Sequence, residues 1–295
     1  MTDKKTSRLL TSPYIAWAVI FTLVPLVLVF YYGFTDANGA LTLANIKAIA
    51  EPVHSKALLL AIALSVISTV ICFLLAYPLG MILAKRRLSN QGIVITLFIL
   101  PMWMNFLLRT LSWMTLLENK GVINGILELL HLPQLNIINT PGAIVLGMVY
   151  NFLPFMILPI YNSLSSIDDS VINAASDLGA DAMQTFFKIT LPLSVPGIIS
   201  GVTMVFIPAL TTFAISSMLG GSKILLIGNV IEQEFTLTYD WNLGSGLSIV
   251  LMLFIVVNMA VSAMAEKADS SGEKSLKRRS PHISGLDVRP GREER

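Results

Sequence analysis

Apolar residues in this chain gather into six runs: 14–32, 57–84, 93–117, 143–164, 198–219 and 246–265. A helix needs about 20 such residues to cross the hydrocarbon core of a bilayer. Each run therefore predicts one transmembrane helix, with 57–84 long enough to extend beyond the membrane. The third run contains Pro101, the fourth Pro154 and Pro159, and the fifth Pro208. Membrane helices tolerate proline where neighbours satisfy the freed backbone, so these runs are expected to kink and pack closely. Loops at 33–56, 118–141 and 220–245 fall on one side, and the middle one has a short amphipathic stripe of Ile123, Ile126, Leu127 and Leu130.

One polar interruption, 168–197, keeps helical periodicity. Val171, Ala174, Ala175 and Leu178 fall at i, i+3, i+4 and i+7, an apolar stripe on a short helix. Asp168 and Asp169 occupy the N-cap and first turn, and Gly179 stands where a helix end favours positive φ. A second short helix is expected from near Asp181, with Met183, Phe186, Phe187 and Thr190 along one side, stopped by Pro192 and Pro196.

Composition agrees with the pattern. Of 295 residues, 54% are hydrophobic and 13% charged, against about 25% charged in soluble domains. The chain reads as an all-α integral membrane protein. Lys4, Lys5 and Arg8 before the first run suggest a signal peptide, but the run is too long and lacks a small-residue cleavage site, so an uncleaved span is expected. Excluding Arg109, which lies inside the third run, fifteen Lys and Arg fall on one side and four (Lys47, Lys56, Lys120, Lys223) on the other. The positive-inside rule then predicts both termini and the 168–197 elbow in the cytoplasm. The expected domains are a cytoplasmic segment 1–13, a six-helix domain 14–265 and a disordered cytoplasmic tail 266–295, rich in Ser, Lys, Arg, Gly and Glu.

Several chemistries lack residues to carry them. The sequence contains no G-x-x-x-x-G-K-[ST] phosphate loop, no H-E-x-x-H and no G-x-S-x-G. His54, His131 and His282 are scattered, and Cys72, the single cysteine, sits in an apolar run as a small core residue. The runs hold no acidic residue, the usual mark of a proton- or sodium-coupled carrier. An enzyme, a metal site and a stand-alone carrier are thus disfavoured, and a membrane anchor or sensor would be expected to carry a soluble domain.

Asn173-Ala174-Ala175, three residues, Gly179, nine residues, then Ile189-Thr190-Leu191-Pro192 resembles the EAA loop of ABC-importer permeases. That pattern is E-A-A, three residues, Gly, nine residues, I-x-L-P. Further stretches resemble the spermidine/putrescine (PotB-like) type over about residues 10–265: 106–113 with Gly121 and Asn124, 151–155, and 220–231. The resemblance implies a type I ABC importer permease fold, six transmembrane helices with a cytoplasmic coupling helix, in the bacterial inner membrane. It also implies four further subunits: a second, PotC-like permease, two copies of a cytoplasmic ATPase that carries ATP and Mg, and a periplasmic substrate-binding protein. No cofactor is expected on this chain. Ferric iron, opines or other small solutes are alternative cargoes.

The resemblance assigns ATPase contact to Asn173, Ala174, Ala175, Asp177, Gly179, Ile189, Leu191 and Pro192. Asn173 departs from the family's Glu; either a neutral hydrogen bond replaces the charged one or Asp177 supplies the acid. Trp103, Asn105, Tyr150 and Asn151 are candidate path residues or helix-packing groups. Arg109, expected to snorkel about 12 Å to the external surface and to meet Trp113 at i+4, suits a structural or gating role better than cation binding. Glu232, Glu234, Asp240 and Trp241 are candidates for a cation-attracting mouth, or simply a solvated loop.

Overall fold

The computed structural model describes residues 13–85, 96–221 and 223–279. The basic residues Lys4, Lys5, Arg8, Arg86 and Arg87, Ser222 and the tail beyond 279 lie outside the described residues. The long helices are α1 (Pro13–Gly33), α3 (Pro52–Lys85), α7 (Pro141–Ser165), α9 (Ala182–Thr211) and α12 (Trp241–Arg279). Between them lie α2 (Ala44–Lys47), α4 (Thr96–Trp103), α5 (Phe106–Leu117), α6 (Val122–Leu129), α8 (Asp169–Asp177), α10 (Ala214–Leu219) and α11 (Ile227–Thr236). Among the described residues, five helices are long and apolar enough to span a membrane, and six spans result if the bent α4–α5 pair counts as one.

The core is a three-helix wedge of α3, α7 and α9. Ala61, Cys72 and Ala76 of α3 meet Met148, Met156 and Ile160 of α7 and Val205 and Ala209 of α9, all fully buried. Small residues let the backbones approach, as membrane interfaces require. Gly197 shows how closely: a Cβ there would lie 2.6 Å from the Pro159 carbonyl oxygen and 2.5 Å from Ser163 Cβ. The peripheral α1 packs along α12, and no residue of its apolar window is buried within the chain. At the end of the bundle opposite the elbow, the Asn45 and Asn242 amides donate to the carbonyls of Tyr32 and Thr35, capping α1.

Four sequence expectations change. The third span is not continuous: α4 meets the stretch Phe106–Leu129 at 95°. The break falls at Met104, which is extended, and Asn105, which is non-helical and whose side chain accepts from the Leu107 and Leu108 amides and starts a new helix. Asn prefers that capping role to a helix interior. The fifth span breaks at Thr212, which is extended. Pro192 and Pro196 do not stop the elbow's second helix; it runs unbroken from Ala182 to Thr211. A π-helical turn at Phe186–Thr190 widens the helix where the Pro192 ring would press on the Lys188 carbonyl. Finally, residues 266–279, expected to be disordered, continue α12 to Arg279; Ala, Glu and Lys favour helix there.

Candidate functional site

The elbow is built by local rules. Asp168 caps α8, its carboxylate accepting from the Ser170 amide at 2.9 Å. That hydrogen bond holds the Asp168 carboxyl below the usual range. At the other end Gly179 adopts φ +81°. The Ala180 amide donates to the Ala175 carbonyl at 3.0 Å and the Gly179 amide to that of Ser176 at 2.9 Å, the paired bonds of a Schellman end. Asp181 then caps α9, accepting from the Gln184 amide at 2.7 Å. The chain thus reverses within four residues, and no Cβ-blocking atom lies within 4 Å of Gly179, so only its backbone angle demands glycine.

Among the polar side chains that the elbow presents outward stand several large apolar ones. Leu178 is 89% exposed, and Val171, Met183 and Phe187 are also exposed. Ala175 is buried, whereas Asn173, Ala174 and Asp177 are exposed; Ile189 and Leu191 are half-buried and Pro192 exposed. Asp177 follows Asn173 by one helical turn, so the two are surface neighbours. The root of the elbow is tied to the core. Tyr77 of α3 shares a hydrogen bond of 2.9 Å with Ser194, which is fully buried, and its ring meets Phe186 edge-on at 5.9 Å. A cleft of about 470 Å³ lies beside it, lined by Met81, Ala84, Tyr161, Asp168, Ile172 and Thr190. These contacts tie the start of α9 to the end of α3, while the cleft separates α8 from the ends of α3 and α7. The sequence did not single out Tyr77 or Ser194, whose pairing spans 117 positions.

A second cluster lies at the break in the third span. Arg109 is 6% exposed and does not snorkel outward. Its Nη1 donates to the Pro101 carbonyl at 2.6 Å and its Nε to Asn151 Oδ1 at 2.7 Å. The guanidinium carbon stands 5.8 Å from the Tyr150 ring centroid, and Trp113 instead packs edge-on against that same ring at 5.1 Å. Tyr150, not Trp113, is thus the aromatic partner, because the bend turns Arg109 toward α7. Asn151 also donates to the Gly147 carbonyl at 2.8 Å. The break in the fifth span has its own brace: buried Asn229 accepts from the Leu226 amide and donates to the Phe213 carbonyl at 3.0 Å and to Ser217 Oγ at 2.7 Å.

These features can now be set beside known proteins. The family described as the binding-protein-dependent transport system inner membrane component matches residues 76–270. The spermidine/putrescine transport system permease protein PotB of Haemophilus influenzae is 34% identical over 274 residues, covering 90% of this chain and 96% of that protein. This chain belongs to that transport-system permease family. PotB of Escherichia coli K12 is 35% identical over 255 residues, covering 84% of the permease described here and 93% of PotB. A chain of a bacterial alginate ABC transporter, solved with an alginate-bound periplasmic protein, superposes with a TM-score of 0.74 at 16% identity, covering 90% of the permease and 96% of that chain. A chain of the MetNI methionine ABC transporter in an inward-facing conformation gives 0.54 at 18% identity, covering 73% and 95%. The fold is that of ABC importer permeases.

The candidates for a cation-attracting mouth are local structure first. Glu232 and Glu234 lie on or beside the half-buried face of α11 rather than in a loop, and their carboxylates accept from Thr236 and Thr238. Asp240 accepts from the Leu243 amide at 2.9 Å and so caps α12. Trp241 lies between Phe235 and Tyr32, at 5.6 and 6.0 Å between ring centroids. Helix α11 itself escaped the sequence reading, although Ile227, Val230 and Ile231 are spaced i, i+3 and i+4.

Proposed function

We propose that this permease forms half of the membrane path of an ATP-driven importer of polyamines, spermidine and putrescine. It sits in the bacterial inner membrane with both termini and the elbow in the cytoplasm. The exposed apolar side chains on a capped elbow are the observation that carries the reading: a loop that only joined two spans has no need to hold Leu178 out at its turn with Val171, Met183 and Phe187 also uncovered by the chain. A groove on a separate ATPase covers these side chains. The ATPase binds ATP and Mg and hydrolyses the nucleotide, and its closure moves α8. Through Tyr77, Ser194 and Phe186 the movement reaches α3 and α9. Asn173, Ala174, Asp177 and Gly179 face the ATPase, with Asp177 supplying the acid that Asn173 lacks; Ala175, expected among these contacts, is instead buried within the chain and supports α8 from behind. Ile189, Leu191 and Pro192 set the angle at which the elbow leaves α9.

A related second permease completes the path, two ATPases drive it, and a periplasmic binding protein delivers the cargo. The substrate assignment is supported by two PotB proteins, named for spermidine and putrescine, at 34% and 35% identity across most of their length. The test is uptake of labelled spermidine into vesicles holding the complete assembly. ATP-dependent accumulation is expected; uptake without the ATPase would refute the ATP-driven mechanism, and ATP-dependent uptake of a different solute alone would refute the substrate.

A further inference from the structure

We infer that the turn at Trp103–Asn105 lines the water-filled path at mid-membrane depth, and that the Trp103 ring is a contact for the cationic amine in transit. This rests on the proposed polyamine importer and names one contact within its path.

Depth follows from Arg109. Its partner Asn151 is ten residues from the start of α7 and fourteen from its end, about 15 and 21 Å at 1.5 Å per residue. The same guanidinium holds the Pro101 carbonyl, so the break lies near the middle of the bundle. Met104 and Asn105 are non-helical there, and Trp103 is 80% exposed with Met104, Leu107 and Leu108 also open. Irregular backbone at that depth does not face lipid; it is covered by protein or lines water. The contrast with the fifth-span break is informative. There Asn229 and the close approach of Gly228 to the Thr211 carbonyl cover the backbone, whereas the chain leaves Trp103–Asn105 open.

The chemistry suits an ammonium group. The spans contain no carboxylate to trap a polycation, and an aromatic face attracts a cation without a fixed charge. Arg109 stands behind the turn with Nε and Nη1 engaged. Its repulsion keeps the contact weak, and transport needs sites that release as readily as they bind. Arg109 is therefore a positioning residue that holds the turn open.

The complete assembly, carrying Cys72→Ala to remove the single cysteine, is reconstituted with Met104→Cys or, as a control on an exposed unbroken helix, Val257→Cys. A membrane-impermeant thiol reagent should modify Met104→Cys at least about tenfold faster in one or more nucleotide states, and spermidine presented on its binding protein should slow that reaction. Adding Trp103→Ala should abolish the spermidine effect, while Trp103→Phe should retain it. Equal, slow labelling at both positions in every state would mean that lipid or the second permease covers the turn, and would overturn the inference. Fast labelling that spermidine leaves unchanged, or protection that survives Trp103→Ala, would also overturn it, provided the same vesicles import spermidine. If vesicles carrying the wild-type chain import none with ATP and every partner present, the polyamine reading fails and this inference with it.

Discussion

At the scale of single residues, the account turns on a few side chains whose partners are fixed. Arg109 satisfies two acceptors at once, which a point-charge lysine cannot do in the same geometry. Arg109→Ala leaves both inside the bundle without their donor, at a cost of about 2–4 kcal/mol, and should lower the melting temperature of the purified assembly. Arg109→Gln should also lower it while leaving substrate preference unchanged. Normal stability with an altered preference would contradict the positioning role. Arg109→Ala and Asn151→Ala should be non-additive by about 1 kcal/mol or more in a double-mutant cycle. Asp168 behaves differently. Its carboxyl is held below the usual range by the Ser170 amide, so its contribution to the elbow is complete above the ordinary Asp pKa and disappears as pH falls through the depressed value. Hydrogen exchange at the Ser170 amide should be slower in the wild type than in Asp168→Ala near neutral pH, and the two should converge in acid.

At the scale of elements, much of the elbow is legible and the breaks are not. The Asp168 cap, the α8 stripe and the Gly179 turn depend on neighbours within a few residues, so spacing alone reveals them. The third run reads as one span because residues 93–117 are apolar throughout, and apolarity reports burial or lipid, not continuity. What breaks it is Asn105 acting as a cap, a signal hidden inside a hydrophobic run. The brace comes from Asn151, 42 positions away, and no local pattern encodes that pairing. Proline misled in the opposite direction at Pro192, where a π-turn absorbs the ring and the helix continues. Helix packing gives its own prediction. Gly197→Ala brings a methyl within 2.6 Å of the Pro159 carbonyl and should cost about 1–3 kcal/mol by forcing α9 from α7, visible as a lower melting temperature with membrane insertion intact.

At the scale of the whole molecule, a buried wedge of α3, α7 and α9 connects an exposed elbow at one end to an open turn at mid-depth. In the proposed importer this arrangement gives the partner ATPase a handle on the path. The elbow side is the central claim. Gly179→Asp meets no steric obstacle but must hold a charged side chain at φ +81°, which disfavours the reversal between α8 and α9. The most direct measurement is ATP hydrolysis and labelled spermidine uptake together, in vesicles containing the complete assembly with wild-type chain or Gly179→Asp. The account predicts normal membrane insertion of the variant, with uptake abolished and either the ATPase lost or its hydrolysis no longer stimulated by loaded binding protein. Unimpaired, ATP-coupled uptake by Gly179→Asp would contradict it.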